Sequence, residues 1–169
     1  MLQSPVALLN ADFSHISILA LSVSVASGSF FALAGISLYK AFINGPIKLV
    51  APIVGGYPVF SLIFSSLNGN LPNGIQVGAV IIIVICAGYV AASKEENEGA
   101  LANKKSAILW AVLSSFGFAS SFALGQYASN LSDQYALLLP NRISALIALI
   151  LIAKYLNKPI VPDLSEWRI

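Results

Sequence analysis

Ile16 to Tyr39, ISILALSVSVASGSFFALAGISLY, runs for 24 residues without an ionisable side chain. About 20 apolar residues cross the hydrocarbon core of a bilayer as a helix, so this stretch alone is long enough to span one. Working outward, residues 49–93 form 45 more uncharged positions, interrupted by the turn-like run Asn68-Gly69-Asn70-Leu71-Pro72-Asn73-Gly74, and residues 106–132 add another 27. Backbone amides cannot go unpaired in hydrocarbon, and the alternating ten-residue pattern of a β-barrel is missing, so each span is expected to be a helix. The predicted spans are 16–39, 49–67, 75–93 and 107–128. A fifth, Tyr135 to Tyr155, carries Pro140, Asn141 and Arg142 near its start and Lys154 near its end.

Composition agrees. Apolar residues make up 57% of the 169 and charged residues only 9%, too few to coat a water-soluble domain of this size. A net charge of +2 without a basic run gives no basis for nucleic-acid binding. The expected class is all-α, a multi-pass transmembrane helix bundle in the cell membrane, with the lipid bilayer as its first partner.

Basic residues sort by connection. Lys40 and Lys48, then Lys94, Lys104 and Lys105, then Lys154, Lys158 and Arg168 fall in alternate loops, while 1–15, 68–74 and 129–134 hold none. By the positive-inside rule the basic loops face the cytoplasm and the N-terminus faces outward. Residues 1–14 lack the basic start of a cleavable signal. The polar stretch 94–105 reads as a linker between three spans and two, and the tail from Lys158, with Pro159, Pro162 and Trp167, is expected at the membrane interface.

Helices in lipid associate through small residues and a few hydrogen bonds. Ser24, Gly28 and Ala32 in the first span, and Gly117, Ser121 and Gly125 in the fourth, each recur at intervals of four and so mark a packing face. Such a face either serves packing alone or borders a cavity. In the second span Gly55-Gly56-Tyr57-Pro58 predicts a kink or local unwinding, because Pro58 removes a backbone hydrogen bond and the glycines loosen the turn before it.

Catalytic chemistry has little to stand on. His15 is the only histidine and Cys86 the only cysteine, flanked by Ile85 and Ala87, so neither a zinc set nor a Ser–His pair within a span can be assembled. No catalytic residue, metal or cofactor is expected, and the chain is not read as an enzyme. All seven acidic residues lie outside the predicted spans. Arg142 is the cation furthest from a span end: it either snorkels or bonds carbonyls, or it meets an anionic substrate group or a gate. Asn141, Gln126, Tyr57, Pro58 and Trp110 are further candidates for solute contact.

Ala51-Pro52-Ile53-Val54-Gly55-Gly56-Tyr57-Pro58-Val59-Phe60 resembles the fourth helix of the drug/metabolite transporter superfamily in its EamA-like branch, with a central proline after small residues. Residues 78–93, with Gly88 late in an apolar run, look like the fifth. Ala107-Ile108-Leu109-Trp110-Ala111 is similar to the start of the family's second repeat, and Asn141-Arg142-Ile143-Ser144-Ala145 to the opening of the helix after it. The resemblance implies a ten-helix, inverted-repeat permease that moves small metabolites by alternating access. On that basis 13–93 would be the last three helices of a first repeat, 94–105 the linker and 106–169 the first two helices of a second. The chain would be part of a carrier, with the missing helices supplied in trans or by a homo-oligomer. Gly69-Asn70 departs from the family's frequent Gly-Glu, and the family's usual orientation would start the first span here in the cytoplasm, against the charge count. The alternative is a non-transporting membrane scaffold or assembly subunit. A reporter enzyme fused after Glu98 is expected to read out on the cytoplasmic side; an external signal would reverse the orientation.

Overall fold

The computed structural model describes residues 16–67, 69, 71–92 and 103–155. His15, Asn68, Asn70, linker residues 94–102 and the tail from Lys158 lie outside them. Among the described residues every long element is helical: α1 Ile18–Asn44, α2 Ile47–Gly55, α3 Tyr57–Leu67, α4 Gly74–Ala92, α5 Lys104–Leu131 and α6 Gln134–Tyr155. Four helical stretches are long and apolar enough to cross a membrane: α1, α2 and α3 together as Ile47–Leu67, α5 and α6. The expected third span is helical as α4, but its apolar part, Gly74–Val90, is shorter than the four and is not among the helices long enough to cross a membrane.

α1 and α5 outrun the uncharged stretches that announce them, because a lysine ends an apolar run without ending a helix. α1 continues past Lys40 to Asn44 and stops where Pro46 disfavours helical backbone at Gly45. α5 begins at Lys104 and closes at Ser132, whose amide donates to Ala128 O.

The bundle is built around α1. It runs antiparallel to α5 along a seam of small residues seven apart: Ala20, Ser27, Ala34 and Ala41 on α1 meet Ala128, Ser121, Ser114 and Ala107 on α5. A seven-residue repeat nearly matches two helical turns, so the seam keeps to one side of each helix over its length. At Gly117 an added Cβ would lie 2.9 Å from Ala34 Cβ, a measure of how closely the backbones approach. On another side of α1 lies α6, roughly parallel to it, with Leu137 beside Ala20 and Asn141 beside Ser24 and Ser27. α2 and α3 pack on α5, and α4 packs chiefly on α2.

Burial is inverted relative to a water-soluble core. Among the described residues the interior is mostly Ala, Ser and Gly, and the largest fully buried side chain is Val50. Large apolar side chains face outward, among them Leu33, Ile82, Ile85, Leu109 and Leu146. In water such a surface would be unstable; against lipid tails it costs little, and small residues inside let backbones touch.

The chain path sorts charge by end. Lys40, Lys48, Lys104, Lys105 and Lys154 belong to the end where α1, α5 and α6 have their Asn44, Lys104 and Tyr155 termini. Lys40 Nζ sits 4.3 Å from the centre of the Trp110 ring, a cation–π contact that ties α1 to α5 there. At the opposite end the Ser17 amide donates to Ser132 Oγ.

A Cβ at Gly28 would fall on the Asn141 carbonyl oxygen and on Ser144 Oγ, whereas one at Gly35 would meet nothing within 4 Å. Gly28→Ala is therefore expected to destabilise the α1–α6 contact by about 1–3 kcal/mol, with Gly35→Ala neutral, as read from thermal unfolding in detergent.

Candidate functional site

Two polar features interrupt the apolar bundle, one buried among three helices and one half-covered where α2 and α3 pack on α5. The first is a hydrogen-bonded node where α1, α5 and α6 meet. Ser27 Oγ donates to Ser121 O at 2.8 Å and Ser121 Oγ returns a bond to Ser27 O at 2.9 Å. Asn141 Nδ2 donates to Ser27 Oγ at 2.9 Å and to Ser24 O at 3.2 Å, while Ser24 Oγ donates to Leu137 O at 2.9 Å. One turn along, Ser144 Oγ donates to Asn141 O, and further down the seam Ser114 Oγ donates to Ala34 O at 2.9 Å. Serine can do this because its short side chain reaches a neighbouring carbonyl only where no larger residue holds the helices apart.

The second is the break between α2 and α3. The Gly56 amide donates to both Pro52 O and Ile53 O, and the Val59 amide to Gly56 O at 3.0 Å, so the regular i→i−4 ladder gives way to tighter turns. Pro58 cannot donate at all, which is the local cause. α5 packs on this region: Ala111 belongs to a cluster with Val50, Ile53 and Val54, and Phe122 meets Tyr57 at a ring separation of 5.4 Å. Ser115 lies between those two contacts at helical spacing and is 1% exposed. Its Oγ is the one buried side-chain oxygen among the described residues without a hydrogen-bond partner. An unpaired hydroxyl in a dry environment costs free energy, which sets Ser115 apart from the bonded serines of the node.

Aromatic rings line the same region. Phe31 on α1 packs edge-on against Phe118 at 5.4 Å, Phe118 stacks on Phe122 at 6.5 Å, and Phe60 and Phe64 flank Phe116.

The other sequence candidates separate. Asn141 turns inward to the node, whereas Arg142, the next residue, is exposed on the outer side of α6. Gln126 is also exposed, and Trp110 belongs to the Lys40 contact rather than to the break. Tyr57 and Pro58 lie at the break, half-buried. Ser24, Gly28, Ser121 and Gly125 gather at the node, Gly117 lies against Ala34, and Ala32 is buried on α1. Ser27 and Ser115 are absent from the four-residue rows read from the sequence; the seven-residue repeat through Ser27 was the available signal, and Ser115 had none. Chemically the ensemble offers hydrogen bonds, aromatic faces and a bent backbone, with no acid–base pair.

No protein-family model, curated protein or solved structure matches the chain.

If the node is cooperative, Ser27→Ala and Asn141→Ala should be coupled. A double-mutant cycle from reversible unfolding in mixed micelles is expected to give about 1 kcal/mol, within the range of interhelical hydrogen bonds in bilayers. Additive losses would mean that the two side chains act separately.

Proposed function

We propose that the chain forms part of a carrier that moves a small metabolite across the membrane by alternating access, as an EamA-like permease of the drug/metabolite transporter type, and that the helices it lacks for such a carrier come in trans or from a second copy. The observation that carries this reading is the break between α2 and α3 inside a stretch long enough to cross a membrane; α5, which packs on both, holds the unpartnered Ser115 hydroxyl. Broken helices at membrane depth are where carriers hold substrates, because irregular backbone is tolerated there only when it lines a cavity or is covered by protein. In this scheme Pro58 and the glycines before it shape the bend, the hydrogen-bonded small-residue seam keeps α1 and α5 a rigid pair against which the bent helix moves, and Tyr57 supplies a ring and a hydroxyl at the break. Arg142 is the leading substrate or gate contact from α6.

A scaffold reading draws on the node, whose serines and Asn141 amide are engaged in holding three helices together. A subunit that only braces partner helices would need nothing more.

Flux separates the two. Co-expressed with the remaining helices of an EamA-like carrier and reconstituted in liposomes, the chain is expected to support metabolite uptake. Ser115→Ala should lower that uptake about tenfold or raise KM similarly, since one hydrogen bond to a polar solute is worth about 1.5 kcal/mol. Thermal stability should stay unchanged, because the hydroxyl has no bond to lose. Uptake equal to empty liposomes would favour the scaffold.

A further inference from the structure

Arg142 lies eight residues beyond the start of α6 at Gln134, about 12 Å along the helix axis, level with Gly28 in the middle of α1. It is exposed, and it makes no hydrogen bond or ion pair with any described residue. Side chains on a helix tilt toward its N-terminus, but an extended arginine covers only roughly half of the distance back to Gln134. The guanidinium therefore stays within the apolar zone unless something comes to it.

The surroundings tell what that is. Tyr135, Leu146 and Leu149 share its side of α6 at helical spacing and are all exposed. One fixed charge among apolar side chains describes a helix-packing face with an ionic pin rather than the wall of a wet channel, where several polar groups would converge. A planar, five-donor guanidinium calls for a carboxylate. None of the long helical stretches among the described residues, α2 and α3 counted together, contains Asp or Glu, so those helices of a second copy have no carboxylate to offer at that depth.

We infer that the outer face of α6 centred on Arg142 is a docking surface for a transmembrane helix of another polypeptide, or of a carrier's remaining helices, that carries an Asp or Glu near mid-bilayer. The ion pair does not require transport, although in a carrier it is the gate form of the Arg142 contact proposed above. Because Arg142 makes no hydrogen bond or ion pair with any described residue, its substitution is expected to leave the described bundle intact, which makes the surface testable by itself.

The test uses the full chain, fluorescently labelled at its N-terminus, in zwitterionic liposomes at mildly alkaline pH, with an acceptor-labelled polyleucine transmembrane peptide bearing one central Glu. Energy transfer is expected to show association about tenfold tighter than for the same peptide with Gln. Arg142→Leu should erase the difference, and Arg142→Glu should transfer the preference to a peptide with a central Lys. Equal association of the Glu and Gln peptides, or a preference that survives Arg142→Leu, would overturn the inference and leave the guanidinium to lipid phosphates. Either outcome is independent of flux, so failure of the docking surface and failure of the carrier reading are separately visible.

Discussion

Everything in this bundle depends on how closely α1 and α5 approach. Where Ser27 and Ser121 exchange hydrogen bonds with each other's carbonyls, the two backbones are near enough that a side chain larger than serine would part them. That proximity cannot come from the hydrophobic effect, since lipid tails accommodate Leu and Ile as readily as another helix does. It comes from dispersion contacts over a long smooth seam and from serine hydroxyls that find carbonyls already engaged within their own helix. α6 then joins through Asn141 and the gap at Gly28, and α2 joins through Val50 against Ala41, Ala107 and Ala111.

The two polar features divide the labour. At the node between α1, α5 and α6 the serine hydroxyls and the Asn141 amide protons have partners, so the helices are held in one register. At the α2–α3 break the backbone ladder itself is irregular, and on α5, which packs there, the buried Ser115 hydroxyl has no partner. A hydrogen-bonded pair of helices thus stands beside a bent one that is held mainly by apolar and aromatic contacts. α4, mostly uncovered and apolar, and the outer face of α6 are the surfaces left for neighbours.

Much of this was legible in the residues. The spacing of charges placed the helices within a few positions, and the Gly55-Gly56-Tyr57-Pro58 run marked the interruption at Gly56, because glycine and proline act on the backbone wherever they stand. The packing faces were less accessible. Rows of four, such as Ser24, Gly28 and Ala32, drift around a helix by about 40° per step at 3.6 residues per turn, so one row serves two neighbours: Ser24 and Gly28 turn to α6. The row that follows α5 is the seven-residue one through Ala20, Ser27, Ala34 and Ala41. Small residues are so common in these helices that spacing alone did not single it out.

By itself the amino-acid order determined the solvent and the elements: long uncharged runs that only helices in an apolar medium can satisfy, a break where a proline lacks its amide, and lysines confined to one end. Tertiary structure alone decided that Asn141 turns in and Arg142 out, and that Ser115 is buried without a partner. Adjacent residues on a helix diverge by about 100°, and which of those directions meets a neighbour is set by where the other helices lie, a property of the assembled bundle and not of any one segment.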